Sequence, residues 1–143
     1  MSKAKLDLVI SGKIPPSLSA PKVRRLILEV LQSLKMRSAV LGVAFLTESQ
    51  IARKNKTYRR KTGPTDVLSF SYPLPKKGKM LLGDILICPK YAARQAKQAS
   101  VPLDEELKRL LIHGLLHLAG YDHVIKTQAK RMFSLQERIL KSV

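Results

Sequence analysis

The fold class that this sequence predicts is α+β, with a small mixed four-stranded sheet flanked by about five helices and a metal site at the end of one helix. Two observations carry that expectation. Strand-like segments are scattered among helical ones early in the chain, and three helical patterns follow one another late in it. In addition, 143 residues with 45% apolar content suit a single domain, residues 1–143, whose core buries roughly 70% of the unfolded surface.

LDLVIS (6–11) alternates weakly as a short strand and meets a break at Gly12 and Pro15-Pro16. SAPKVRRLILEVLQSLK opens with Ser19 as an N-cap, and Val23, Leu26, Ile27, Val30, Leu31 and Leu34 recur at helical spacing. SAVLGVAFLT (38–47) is a second strand, and Thr47 with Gln50 makes a capping-box start for a short helix through about Asn55. DVLSFSYP (66–73) and GDILICP (83–89) read as strands able to pair as a hairpin across PLPKKGKM. YAARQAKQAS is an Ala-rich short helix. A long helix starts around Val101–Asp104, its first turn acidic as the helix dipole favours, and ends at Gly120. A last amphipathic helix covers about Lys126 to Leu140, with Met132, Leu135, Ile139 and Leu140 on its apolar side.

Composition excludes several classes. The longest apolar runs, such as Met80 to Leu82 and Ile85 to Cys88, are far short of the ~20 residues that span a bilayer, so a membrane protein is not expected. The N-terminal MSKAKLDLVIS lacks a signal-peptide pattern, and the single cysteine, Cys88, reads as a buried strand thiol, which together point to a reducing cytoplasm. Charge is the strong signal. Twenty-seven Lys and Arg face ten Asp and Glu, a net +17. From Ser49 to Gly83 the only acid is Asp66, while Arg53, Lys54, Lys56, Arg59, Arg60, Lys61, Lys76, Lys77 and Lys79 are cationic. That block predicts a phosphate-contacting surface for a polyanion partner rather than a merely solvated face. Asp66 and Asp84 read as turn caps or partners of basic side chains, Asp122 as a residue that turns the chain or orients a ligand, and Tyr58 and Tyr121 as core packing rather than base-stacking platforms.

All three histidines of the chain fall within HGLLHLAGYDH, residues 113–123. On a helix, His113 and His117 stand about 6 Å apart on one face and can aim at one point. His123 would lie about 15 Å away along a continued helix, so the helix has to stop, and Gly120 sits where a left-handed C-terminal residue allows it. Three neutral imidazoles with one open position suit one catalytic Zn2+ per chain, since structural zinc normally takes four protein ligands. The spacing is similar to the metzincin signature, except that Gly114 occupies the place of the glutamate base that zinc peptidases use. A metal-dependent hydrolase of another bond, such as a peptidase, is therefore the runner-up.

HGLLHLAGYDH together with NKTYRRKTGPTDVLSF and LLGDILIC resembles the YbeY family of bacterial endoribonucleases, from about Glu48 to Leu140 and including Met132 and Glu137. The resemblance implies an α+β fold, zinc on His113, His117 and His123, and a functional, catalytic arginine at Arg59. It further implies a single-strand-specific endoribonuclease acting on ribosomal RNA of the small subunit, in 3′-end maturation and ribosome quality control. Guidance by a ribosomal protein and an assembly GTPase is compatible with it, and a non-catalytic RNA-binding ribosome assembly factor is a further alternative. One departure is the basic VIKTQAKR after GYDH, where family members are often acidic.

Overall fold

The computed structural model describes residues 4–72, 80–121 and 126–143. In chain order the elements are β1 (Lys5–Gly12), α1 (Ala20–Ser33), β2 (Ser38–Phe45), α2 (Glu48–Arg59), β3 (Val67–Ser71), β4 (Met80–Ile87), α3 (Pro89–Ala99), α4 (Leu103–Leu118) and α5 (Lys126–Ser142). The strands form one mixed sheet in the order β1-β2-β4-β3. β1 and β4 both run parallel to β2, and β3 returns antiparallel to β4 at the edge. The four-stranded α+β architecture expected from the element order is the one adopted.

Alternation along the strands sorts the sheet into two faces. Ala39, Leu41, Val43 and Phe45 of β2, with Leu81, Ile85 and Ile87 of β4, point to the face covered by helices and are buried. There they meet Val23, Ile27, Val30 and Leu31 of α1 and the apolar stripe of α4. On the opposite face, α2 sets Ile51 against Leu68, Phe70 and Leu86, which builds a smaller second cluster. Helix α4 is the hub: it packs against α1, α3, α5, β3 and β4. A side chain on α4 is therefore held from several directions at once.

Local sequence explains the ends that matter. Thr47 and Gln50 cap α2 reciprocally: the Thr47 hydroxyl accepts from the Gln50 backbone N–H, and the Gln50 side chain accepts from the Thr47 backbone N–H. The helix continues one turn past Asn55 to Arg59 and closes with Arg60 in the left-handed conformation. Sequence reasoning stopped it short because no glycine marks the end. β4 likewise begins at Met80, not Gly83. Cys88 is buried but caps α3 rather than lying in the strand. Helix α4 ends as Gly120 predicts: its φ is +100°, its N–H donates to the His117 carbonyl, and the Tyr121 N–H donates to the Leu116 carbonyl. Those two bonds satisfy carbonyls that a helix end would otherwise leave open.

Candidate metal and RNA site

One stripe of α4 borders a cleft at the edge of the core. Glu106, Arg109, Leu110, His113 and His117 follow one another at helical spacing and line a cleft of about 1240 Å³. The other walls are Asn55 and Arg59 of α2, the loop and strand from Lys61 to Ser69, and Gln95 of α3; Gln136 and Phe133 of α5 add to them. The cleft thus unites two sequence features that lie far apart in the chain, the histidine helix and the basic helix.

Inside it, the Nε2 atoms of His113 and His117 are 3.1 Å apart, with ring centroids separated by 4.6 Å. Two ring nitrogens this close need something positive between them, a shared proton or a cation. Tetrahedral zinc with Zn–N bonds of about 2.05 Å sets its ligand atoms about 3.3 Å apart, so the pair already has nearly the spacing of two corners of such a site. The donor set therefore fits zinc. Among the described residues no third His, Cys, Asp or Glu completes a ligand group with them. His123, the third expected ligand, lies outside the described residues, as does Asp122.

His113 is gripped from α5. Its Nδ1 lies 2.8 Å from Oε1 of Gln136, a side chain only 5% exposed, and its ring stacks beside Phe133. The Gln136 amide donates to Oε2 of Glu137 at 3.2 Å. Arg109 forks onto the same carboxylate, Nε to Oε2 at 3.1 Å and Nη2 to Oε1 at 3.2 Å, while its Nη1 donates to Glu106 at 2.7 Å. Burial pushes the Glu137 carboxyl upward, but hydrogen bonds from Arg109 and Gln136 outweigh it and hold the group below its ordinary value, hence ionised. Sequence reasoning named Glu137 only through a resemblance and missed Gln136 and Arg109. Gln136 did leave a trace: it occupies the same stripe of α5 as Met132 and Ile139, where an amphipathic helix normally places apolar residues.

Gly114 is explained by packing. A Cβ there would lie 3.0 Å from Cγ2 of Ile85 and 3.2 Å from its Cγ1 and Cδ1, because α4 rests on β4 at this point. Position 114 faces the sheet and not the cleft, so this backbone gives a glutamate base no way to reach the histidines.

Of the basic block, Arg59 and Lys61 line the cleft, while Arg53, Lys54, Lys56 and Arg60 are exposed around α2. Lys76 and Lys77 lie outside the described residues. Arg59 donates from Nη2 to the Ser69 carbonyl at 2.9 Å, and its guanidinium sits 5.5 Å from the Phe70 ring centroid. Tyr58 is not a core residue, contrary to expectation: it is 59% exposed, packs edge-on to Phe70, and has the Lys54 ammonium 5.6 Å from its ring. Its place near the end of α2, beyond the turn carrying Ile51, puts it past the reach of the core. Asp66 caps β3 as expected, accepting from the Val67 N–H at 2.7 Å. Among the described residues Asp84 accepts from the Tyr72 hydroxyl, and Tyr121 packs against the core.

Comparison with known proteins agrees with this geometry. A family profile described as Endoribonuclease YbeY matches residues 13–143. The chain is similar to an Endoribonuclease YbeY of Persephonella marina, 38% identical over 130 residues, spanning 89% of this chain and 85% of that protein. It is also similar to one of Aquifex aeolicus, 39% identical over 112 residues, spanning 78% and 75% respectively. A solution structure of a Thermotoga maritima protein superposes with a TM-score of 0.68 at 28% identity, covering 94% of this chain and 87% of the other.

Proposed function

The chain belongs to the endoribonuclease YbeY family, and from that premise we propose that it is a zinc-dependent, single-strand-specific endoribonuclease. Its proposed substrate is ribosomal RNA of the small subunit, cut in the cytoplasm during 3′-end maturation and ribosome quality control. The observation that carries this reading is the single cleft lined by the converging His113 and His117 and by Arg59.

His113, His117 and His123 are the proposed zinc ligands. Zinc, when bound, supplies Lewis-acid polarisation of a phosphoryl oxygen or of the attacking water. The remaining work belongs to side chains of this protein. With one nitrogen tied to Ser69, the Arg59 guanidinium retains N–H groups to fork onto the scissile phosphate and offset charge that develops there. Arg53, Lys54, Lys56, Arg60, Lys61, Lys76 and Lys77 hold flanking phosphates. Such contacts release counterions and favour a flexible single strand that can follow the cleft. A ribosomal protein and an assembly GTPase are proposed guides to the substrate.

Gly114 tells against a peptidase, since the position that carries the base in such sites has no side chain here and faces β4 rather than the cleft. The test is cleavage of single-stranded and structured ribosomal RNA fragments by nuclease-free protein, with and without chelator, beside His117→Ala. Cleavage lost in both the chelated and the substituted protein is expected. Binding without cleavage by zinc-loaded protein would instead indicate a non-catalytic assembly factor.

A further inference from the structure

We propose that Gln136 is a positioning residue for the metal site: its side-chain carbonyl holds the proton of His113 on Nδ1, which turns the Nε2 lone pair toward the point that His117 also faces. The inference rests on the reading of His113 and His117 as ligands and adds the device that presets one of them.

The chain of reasoning begins at the far end. Arg109 offers only donors, and its fork holds the Glu137 carboxylate ionised. An ionised carboxylate only accepts, so the Gln136 group 3.2 Å from Oε2 has to be the NH2. Turning the amide round would set its oxygen against a carboxylate oxygen and its NH2 against His113. With the NH2 committed to Glu137, the Gln136 carbonyl faces Nδ1 of His113 at 2.8 Å. A carbonyl needs a donor at that distance, so Nδ1 carries the proton and Nε2 keeps its lone pair. Each assignment follows from the one before it, and the origin is a salt bridge between α4 and α5. Gln136 is almost wholly buried, so water does not compete for the bond. Phe133, stacked beside the His113 ring, further restricts its rotation.

Nitrogen-15 spectra of the imidazoles in the full-length, zinc-loaded protein at pH 8 read this directly. His113 is expected to bind through Nε2 with Nδ1 protonated. Gln136→Met, similar in size but without an acceptor, is expected to weaken zinc affinity in chelator competition by about 10–100-fold. Gln136→Glu made together with Glu137→Gln, which keeps an acceptor for Nδ1–H without setting two carboxylates against each other, should recover part of that loss, a rescue that a purely space-filling role would not produce. A proton found on Nε2 of His113, or wild-type zinc affinity in folded Gln136→Met, overturns the proposal. If Gln136→Met does not fold, the wild-type spectrum alone decides. A chain that takes up no zinc would defeat the ligand reading, and the same spectrum would still report which nitrogen of His113 carries the proton.

Discussion

A carboxylate at position 59 in place of the guanidinium separates substrate handling from the proposed metal binding, because among the described residues Arg59 bonds to Ser69 and lies over Phe70 rather than bonding to His113 or His117. Arg59→Glu is expected to cut the cleavage rate at least 100-fold, the scale of losing one charge-stabilising donor in a transition state, with zinc content and Tm near wild type. Arg59→Lys keeps the charge and loses the fork, so an intermediate rate is expected from the same assay. Gly114 makes the opposite kind of prediction. Alanine would gain about 1 kcal/mol of helix propensity, yet its Cβ would press on Ile85 inside a packed core, where overpacking costs about 1–3 kcal/mol. Gly114→Ala should therefore lower Tm, and Gly114→Glu should destabilise far more without creating peptidase activity. A Gly114→Glu protein of wild-type stability that hydrolyses peptides would refute this placement of the helix.

Elements place these residues, and their junctions are where the sequence was most and least legible. The capping box of α2, the helical repeat of α1 and the glycine end of α4 all announced themselves, since each rests on bonds among residues close in sequence. The network joining Arg109 to Glu137 and Gln136 to His113 could not be read, because it depends on α5 crossing α4, and periodicity carries no information on which helices meet. Asn55 was likewise opaque. It is 5% exposed, and its Nδ2 donates to the Gly63 carbonyl at 3.0 Å, tying α2 to the loop that brings Lys61 and Thr65 to the cleft. Asn55→Ala should cost about 1–3 kcal/mol by leaving that carbonyl without its partner, and chemical denaturation would measure it. The salt bridge between α4 and α5 gives a pH signature. Because the Glu137 carboxyl is lowered in the folded chain, its contribution is complete above its ordinary value of 4.5 and fades as pH falls through the lower folded-state value. Glu137→Gln should flatten the acid limb of Tm against pH by lowering Tm in the neutral region, with little change at the acid end, where the carboxyl is protonated and its contribution is already lost.

At the scale of the whole molecule, the net charge is +17, and the fold sets Arg59 and Lys61 of the basic block on walls of the same cleft that the histidine helix lines. RNA affinity should fall steeply with salt, with a slope of about −0.7 for each single-strand phosphate neutralised, and Lys76→Ala or Lys77→Ala should each flatten it. Salt-insensitive binding would reduce the block to a solvated surface. Among the described residues no helix is long and apolar enough to cross a membrane. The proposed union of a zinc site and a phosphate-binding helix in one cleft is tested most directly by measuring zinc content and single-strand RNA cleavage on the same preparations of wild type, His117→Ala and Arg59→Glu. His117→Ala is expected to lose both zinc and cleavage, and Arg59→Glu to keep zinc and lose cleavage. Wild-type cleavage by either variant would contradict the proposed site.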